Sequence, residues 1–158
     1  MASHTIRTFL WFDTQAEEAV RTYTSLFKDA RILDEVRGGP GGAGPKAPII
    51  TMDFEIAGQR FTALNGGPHY KFNEAISVAV TVETQAEVDR LWDALTSDGG
   101  SGGQCGWLKD RFGLSWQIVP TALPRLLKSS DPAKAGKVMQ AMMQMKKLDV
   151  ATLEAAAT

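Results

Sequence analysis

The tetrapeptide Thr14-Gln15-Ala16-Glu17 returns as Thr84-Gln85-Ala86-Glu87, 70 residues later in the chain. Each copy follows a run of alternating apolar residues that ends in an acid, at residues 6–13 and 76–83. Alternation with a period of two predicts a β-strand, and each copy opens a segment with helically spaced apolar residues. The repeat therefore predicts two related strand–helix modules along one chain.

Composition and charge narrow the class of protein. At 158 residues, of which 44% are hydrophobic, the chain suits one domain or two half-domains that share a core. Its formal net charge of −1 argues against a nucleic-acid partner, and no apolar run approaches the ~18 residues of a membrane span. His4 and Arg7 do not suit a signal peptide, and Cys105 alone cannot form an internal disulfide. We therefore expect a cytoplasmic protein without nucleic-acid or membrane partners.

Both copies of the tetrapeptide predict the start of a helix. Thr14 is predicted to cap the first helix, with Glu17 three residues later as its capping-box partner. The second helix is predicted over residues 84–96, with a stripe of apolar residues along one side.

Alternating segments predict three strands after the first helix. They cover residues 31–37, 49–57 and 60–65, and in the middle one Ile50 is predicted to share the apolar face of Met52 and Phe54. The second half contains a glycine loop at 98–103 and predicted strands at 104–110 and 114–119. Each module is interpreted as a strand, a helix and three strands.

The glycine-rich segment 38–48 contains a formal G-x-G-x-x-G at residues 39–44. As a phosphate-binding loop it would need a helix directly after it, so that the helix N-terminus could meet the phosphate. Pro45, Pro48 and a predicted strand follow instead. The sequence therefore favours a flexible hairpin connection over a nucleotide site.

The last part of the chain is predicted to be helical. A short helix covers residues 121–127, Asp131 and Pro132 start a second helix, and Asp149 caps a third. Met142 and Met145 fall on an apolar stripe. For the methionines of this segment, Met139, Met142, Met143 and Met145, core packing or a subunit contact is favoured over a promiscuous binding face. An interaction module that works through this tail is a third hypothesis for the function.

In each predicted sheet one apolar face is covered by a helix, and the other face carries a mixture of residues. A face of small, polar and aromatic groups makes a poor core but a good ligand cleft. The sequence therefore predicts a small-molecule cleft between the two modules. The residues on these faces are Arg7, Phe9, Trp11, Asp53, Glu55, Ser77, Ala79, Ser115 and Gln117.

Several longer motifs make the chain resemble the PhnB-like branch of the vicinal oxygen chelate superfamily, which includes glyoxalase and bleomycin-resistance proteins. The motifs are Trp11-Phe12-Asp13 with Glu17-Glu18-Ala19 and Tyr23, Leu64-Asn65-Gly66-Gly67-Pro68, Cys105-Gly106-Trp107-Leu108-Lys109-Asp110-Arg111-Phe112-Gly113, Trp116-Gln117-Ile118-Val119-Pro120, and Ala141-Met142 with Met145 and Lys147-Leu148-Asp149. The resemblance implies an α+β fold of tandem βαβββ modules. We expect one domain, 1–158, with modules at 4–67 and 74–120 and a helical extension at 121–158.

The resemblance also implies where a metal site would lie, because enzymes of this superfamily chelate a divalent metal with His, Gln and Glu. The corresponding positions fall at Arg7, Ser77, Gln117 and within residues 61–65, which contain no His, Asp or Glu. Arginine cannot bind a metal and serine does so poorly, so an intact family site is not expected and no cofactor is assigned. A divalent metal remains the alternative.

The sequence offers three other candidates for chemistry: a new metal site, methyl transfer and a cysteine nucleophile. Asp53, Glu55 and His69 could form a new metal site, but it is favoured that the two acids pair with Arg7 or Arg60 or reach solvent. The branch is often labelled a demethylubiquinone methyltransferase, yet no glycine loop joins a strand to a helix as AdoMet-dependent folds require. For Cys105, a buried inert thiol is favoured over a nucleophile.

Two hypotheses for the function follow. The first is a protein, homodimeric as the resemblance implies, that binds an unidentified small molecule without the family metal. Arg7 would supply charge, Trp11 would stack, and Asn65, Ser77 and Gln117 would make polar contacts. The alternative is a metal-dependent lyase, isomerase or dioxygenase of the same superfamily with a divergent ligand set.

Overall fold

The computed structural model describes residues 3–158. The chain forms two compact units, Met1–Phe72 and Asn73–Thr158, called here the first and the second unit. The predicted extension at 121–158 groups with the second module in the second unit. No helix within residues 3–158 is long and apolar enough to cross a membrane.

The first unit consists of one helix packed on a four-stranded sheet. The strand order is β1-β4-β3-β2, with β1 parallel to β4 and the other neighbours antiparallel. The helix buries Ala19, Val20 and Tyr23 against the apolar face of the sheet, where the Phe54 and Phe61 rings stack 5.1 Å apart. The elements are β1 (Thr8–Phe12), α1 (Ala16–Leu26), β2 (Ala30–Arg37), β3 (Ile49–Ile56) and β4 (Gln59–Asn65).

The second unit repeats this plan in a smaller sheet. Its strand order is β5-β8-β7-β6, with β5 parallel to β8, and its helix buries Val88, Leu91 and Leu95. Trp116 and Ile118 of β8 fill the core beneath that helix, as strand parity predicts for Trp116. The elements are β5 (Val78–Val82), α2 (Gln85–Thr96), β6 (Ser101–Gly102), β7 (Trp107–Lys109) and β8 (Ser115–Pro120).

The sequence prediction for β6 and β7 was wrong in its boundaries. Residues 98–103 were expected to be a loop, but Ser101 and Gly102 pair with β7. Gly102 lies so close to α2 that a Cβ there would be 2.6 Å from the Trp92 ring. The predicted strand at 104–110 shortens to β7 because Cys105 and Gly106 adopt positive φ angles of 57° and 84° in a turn. Cys105 is half-buried in this turn instead of fully buried.

The prediction that Ile50 is buried was also wrong. Val36 pairs with Thr51 and Arg37 pairs with Ile49, so Ile50 is the extra residue of a β-bulge. The bulge turns the Ile50 side chain outward, where 40% of it is exposed, and Ile49 is buried instead.

The two copies of the repeated tetrapeptide start their helices differently. Thr84 caps α2, and its hydroxyl accepts a hydrogen bond from the Glu87 amide. The predicted cap by Thr14 was wrong, since α1 has no side-chain cap from the preceding residues. Instead, the Asn65 side chain on β4 accepts a hydrogen bond from the Ala16 amide at 2.8 Å.

Three helices form the tail of the second unit: α3 (Ala122–Leu127), α4 (Pro132–Met143) and α5 (Val150–Ala156). The predicted caps Asp131 and Asp149 are confirmed. Val138, Leu148 and Leu153 are fully buried among these helices, with Met142 and Met145 packed against them, so the apolar stripe is core packing. Met139 and Met143 of α4 are exposed.

The glycine-rich segment 38–48 joins β2 to β3, and the Gly38 amide donates to the Pro48 carbonyl at 3.0 Å. A strand follows the segment, as predicted, so the helix that a phosphate-binding loop needs is not there.

Candidate functional site

The far face of each sheet, meaning the face opposite its helix, carries the residues that the sequence singled out. In the first unit, Arg7 Nε donates to Thr62 Oγ1 at 2.9 Å, and Thr62 Oγ1 donates to Asp53 Oδ1 at 2.6 Å. Thr62 is only 2% exposed. A buried hydroxyl thus links the guanidinium to the carboxylate, and neither charge depends on solvent alone for a partner.

The neighbouring acid on this face is paired as well. Glu55 lies 3.3 Å from Arg31 and 3.6 Å from Arg60, nitrogen to oxygen. The favoured interpretation is confirmed for Glu55 by its contact with Arg60, whereas Asp53 is bonded to Thr62 and meets Arg7 only through that hydroxyl. Asp53, Glu55 and His69 form no metal-binding group, and no cluster of three His, Cys, Asp or Glu in the described chain is arranged to hold one.

Arg7 has capacity beyond this hydrogen bond. It is an exposed residue whose guanidinium carbon lies 5.5 Å from the centre of the Phe9 ring. Among residues 3–158, its hydrogen bond to Thr62 uses Nε, which leaves two terminal amino groups for an anion. Phe9 is 55% exposed beside it.

Trp11 is held in one place on the same face. Its Nε1 donates to the Gly67 carbonyl at 2.9 Å, and Tyr70 meets the ring edge-on with centroids 4.9 Å apart. A Cβ at Gly66 would lie 2.4 Å from the indole, so only glycine fits under this ring. Trp11 remains half-exposed, which suits it to stack on a flat molecule.

Asn65 has a different environment from the other predicted contacts. Its Oδ1 accepts from the Ala16 amide and its Nδ2 donates to the Ile49 carbonyl at 3.2 Å. Both ends of the amide therefore serve the fold of the first unit. Its predicted contact with a ligand stays a prediction. The two hydrogen bonds explain on structural grounds why an asparagine occupies this position.

At the matching positions, the far face of the second unit carries uncharged side chains, Ser77 and Gln117. Gln117 Nε2 donates to Ser77 Oγ at 2.9 Å. The registers of the two sheets are equivalent, because Phe9 pairs with Thr62 on β4 as Ala79 pairs with Gln117 on β8. Arg7–Thr62 and Ser77–Gln117 are therefore corresponding pairs, and the fourth ligand position implied by the resemblance falls at Thr62.

These four side chains fit a divalent metal poorly. Arg7 carries a fixed positive charge, and the Thr62 hydroxyl already accepts one hydrogen bond and donates another. Ser77 and Gln117 are bonded to each other and bring no negative charge. A hard divalent cation is held by several anionic or imidazole ligands, which this set does not provide.

Two participants on these faces were not among the residues predicted from the sequence, Thr62 and Lys109. Thr62 could be found only from the strand register, whereas Tyr70 lies in the loop 69–73, which was predicted to hold groups that can contact a ligand and which returns to Trp11. In the second unit, Lys109 forms an ion pair with Glu74, and its hydrogen bond lowers the pKa of the Glu74 carboxyl. This pair borders a cavity that also includes Ser115.

Comparison with known proteins identifies the family. The family model described as 3-demethylubiquinone-9 3-methyltransferase matches residues 4–119. A solved structure of a putative 3-demethylubiquinone-9 3-methyltransferase, PhnB protein, from Bacillus cereus is 32% identical, with a TM-score of 0.67, over 75% of this chain and 100% of that one. None of the proteins with curated functions matches the chain.

More distant structures share the fold alone. Protein PA1353 from Pseudomonas aeruginosa is 23% identical with a TM-score of 0.59 over 75% of this chain and 98% of that one. The fosfomycin resistance protein FosX from Listeria monocytogenes is 16% identical with a TM-score of 0.55 over 82% and 100%. These matches confirm the predicted α+β fold of the glyoxalase and bleomycin-resistance type. The chain therefore belongs to the 3-demethylubiquinone-9 3-methyltransferase family, a PhnB-like branch of the vicinal oxygen chelate superfamily.

Proposed function

We propose that this protein binds a small, anionic organic molecule on the far faces of its sheets and does so without the metal of its superfamily. The observation that carries the proposal is the pair of corresponding contacts, Arg7–Thr62 and Ser77–Gln117. They occupy the positions where the superfamily's ligands would fall, and they replace anionic and imidazole groups with a cation and neutral side chains.

The charge on Arg7 sets the class of ligand. A guanidinium offers planar paired donors that suit a carboxylate, phosphate or phosphonate. Asp53 offsets part of its charge, but it is joined to the guanidinium only through the Thr62 hydroxyl. Phe9 supplies aromatic surface next to the guanidinium, and Trp11 lies further along the same face of β1, so an anion with a flat or apolar part fits best.

The methyltransferase activity in the family description finds no support in these residues. The turns that lead from β1 to α1 and from β5 to α2 contain no glycine, and the glycine-rich segment 38–48 leads into β3. AdoMet uptake, measured by titration calorimetry, should therefore be undetectable, and saturable uptake would overturn this part of the proposal.

Further expectations from the sequence concern the oligomeric state, the location in the cell and the alternative function. A homodimer in the cytoplasm stays a prediction, which light scattering of the purified protein would check for the oligomeric state. The alternative function is a metal-dependent lyase, isomerase or dioxygenase. A FosX variant from Listeria has been solved with Mn(II) and 1S,2S-dihydroxypropylphosphonic acid, which makes this the alternative to test directly.

The test is a thermal-shift screen of small carboxylates, phosphates and phosphonates, each measured with EDTA and with added Mn²⁺. We expect at least one anion to raise the melting temperature equally in both conditions. Arg7→Gln should abolish that shift, because it removes the charge that selects the anion. Arg21→Gln is the matched control, since Arg21 lies on α1, is 55% exposed and pairs with Glu17. A shift that needs Mn²⁺ would favour the metal-dependent alternative.

A further inference from the structure

The far face of the second unit contains a cavity that the sequence did not indicate. It has a volume of about 140 Å³ and lies along β6, β7 and β8. Ligand pockets usually enclose about 300–1,000 Å³, so this cavity has room for one functional group or a very small molecule. Its lining residues are Glu74, Ser101, Gly102, Gly103, Trp107, Leu108, Lys109 and Ser115.

Ser115 is the feature of the cavity that needs explanation. It is 1% exposed, and its Oγ has no hydrogen-bond partner among the described residues. A buried hydroxyl without a partner lowers stability, because it loses its bonds to water and gains none in return. Native structures rarely keep such a group, and the cavity beside it is where a partner can enter.

Lys109 lies directly across from Ser115. The two residues are register partners on β7 and β8, which places their Cβ atoms about 4.5–5.5 Å apart on one face. An ammonium group and a hydroxyl donor therefore border the same space. Together they match the two oxygens of a carboxylate.

Glu74 occupies the Lys109 ammonium in this structure. The side chains of Glu74 and Lys109 are 63% and 43% exposed, so their ion pair contributes little and is readily exchanged. A ligand carboxylate in the cavity would pair with Lys109 in place of Glu74. It would also accept a hydrogen bond from Ser115 Oγ, which Glu74 does not do.

The cavity and the Ser77–Gln117 contact lie at neighbouring positions of β7 and β8. Trp107, which lines the cavity, pairs with Gln117 on β8, and Gln117 is bonded to Ser77. Trp107 also offers an aromatic wall next to the two donors.

We infer that this cavity is a carboxylate subsite, in which Ser115 Oγ and Lys109 Nζ hold the carboxylate of a small organic acid and Glu74 is displaced from Lys109. The inference rests on the proposed function, because it names the ligand class for the far face that carries Ser77 and Gln117. It adds that the ligand carries a carboxylate beside an aromatic or apolar part that contacts Trp107.

Benzoate is a suitable probe, followed by the Trp107 indole signal in ¹⁵N spectra of the full chain. We expect a saturable shift with wild-type protein. Ser115→Ala and Lys109→Gln should each weaken binding about tenfold, as loss of a hydrogen bond to a charged group does. Glu74→Gln should strengthen binding about threefold, because it removes the competing carboxylate. Arg90→Gln is the control, since Arg90 forms an exposed ion pair with Glu87 on α2, outside the cavity.

Ser115→Ala also distinguishes binding from structure. The variant should unfold at a higher temperature than wild type in the absence of benzoate, because the unpartnered hydroxyl is gone. A lower melting temperature would assign Ser115 a structural role and overturn the inference.

Several other results would contradict the subsite. They are no saturable benzoate shift in wild type, equal affinity of all variants, or weaker binding by Glu74→Gln. Tighter binding of methylphosphonate with the same dependence on Ser115 would reject the carboxylate class. If anions bind through Arg7 but not through Ser115, the proposed function stands and the subsite fails. A stoichiometric metal would contradict the proposed function and leave the Ser115 measurements valid.

Discussion

The two units share a fold and a register but differ in what lies on their far faces. In the first unit, Arg7, Thr62 and Asp53 form a charged chain of hydrogen bonds. In the second unit, Ser77 and Gln117 form one neutral bond at the corresponding positions. The two units thus share the strand order and the register of the parallel pair, whereas the side chains at the equivalent positions differ in charge and size.

The repeated tetrapeptide shows the same divergence at the level of single residues. Gln15 of the first copy is exposed. Gln85 of the second copy donates to the Leu148 carbonyl at 3.1 Å and accepts from the Val150 amide at 2.8 Å. The tail belongs to the second unit, and its presence there turns an identical residue into a contact between α2 and the start of α5.

The largest expected effect comes from the core of that tail. Leu148→Ala should lower the free energy of unfolding by about 2–5 kcal/mol, because Leu148 is fully buried between helices. Met143→Ala on α4 is the control and should change it by less than about 0.5 kcal/mol, since Met143 is 59% exposed. Urea unfolding measures both, and equal effects would mean that the tail is not packed as described.

Gly66 tests the aromatic corner of the first unit. Gly66→Ala should cost about 1–3 kcal/mol, because the new Cβ would push the Trp11 ring from its place. Gly136→Ala on α4 should instead be neutral or stabilising by up to about 1 kcal/mol, since nothing lies within 4 Å of its Cβ position. Trp fluorescence should change in the first variant only, and an unchanged stability of Gly66→Ala would contradict the close packing.

The identical glutamines provide a matched pair. Gln85→Ala should cost about 1–3 kcal/mol, since it leaves the Val150 amide and the Leu148 carbonyl without this partner. Gln15→Ala should stay within about 0.5 kcal/mol because Gln15 is exposed. Thermal unfolding of both variants measures the difference, which would vanish if the tail were not bound through Gln85.

The helix caps give a smaller contrast. Asn65→Ala should cost about 1–2 kcal/mol and Thr84→Ala about 0.5–2 kcal/mol, as loss of a cap does. Thr14→Ala should have almost no effect, although Thr14 occupies the same place in the repeat as Thr84. A loss for Thr14→Ala as large as that for Thr84→Ala would restore the capping box expected from the sequence.

The smallest effect concerns pH. The hydrogen bond from Lys147 lowers the pKa of Asp89, with a second contribution from Gln85. A carboxyl with a lowered pKa stabilises the fold above its unfolded value near 4, and this contribution is lost as pH falls through the folded value. Asp93 and Asp149 also face Lys147 and keep part of its interaction. The free energy of unfolding of Asp89→Asn should therefore fall slightly less than that of the wild type between neutral and acidic pH. The difference should be less than about 1 kcal/mol for such exposed groups.

Local signals in the sequence predicted most of the fold. Thr84, Asp131 and Asp149 cap helices through amides two or three residues away, so pattern alone identifies them. Thr14 has the same local pattern, but the side-chain oxygen of Asn65, 49 residues from Ala16, accepts the hydrogen bond instead. The prediction for Ile50 was wrong because Ile50 is the extra residue of a bulge in β3, which shows only in the pairing with β2.

The site was harder to predict because it depends on register between distant strands. Arg7, Trp11, Ser77 and Gln117 were placed on the far faces by strand parity, and the structure puts them there. Thr62 emerged only from the pairing of β1 with β4, and Ser115 only from its burial without a partner. Neither property can be read from one strand.

The metal content of the purified protein tests the central claim most directly. We expect less than one transition-metal ion per chain and no saturable heat when Mn²⁺ is titrated into the metal-free protein. One equivalent of tightly bound metal that is lost in Gln117→Ala would contradict the metal-free proposal, because the ligand positions of the superfamily would then still bind a metal.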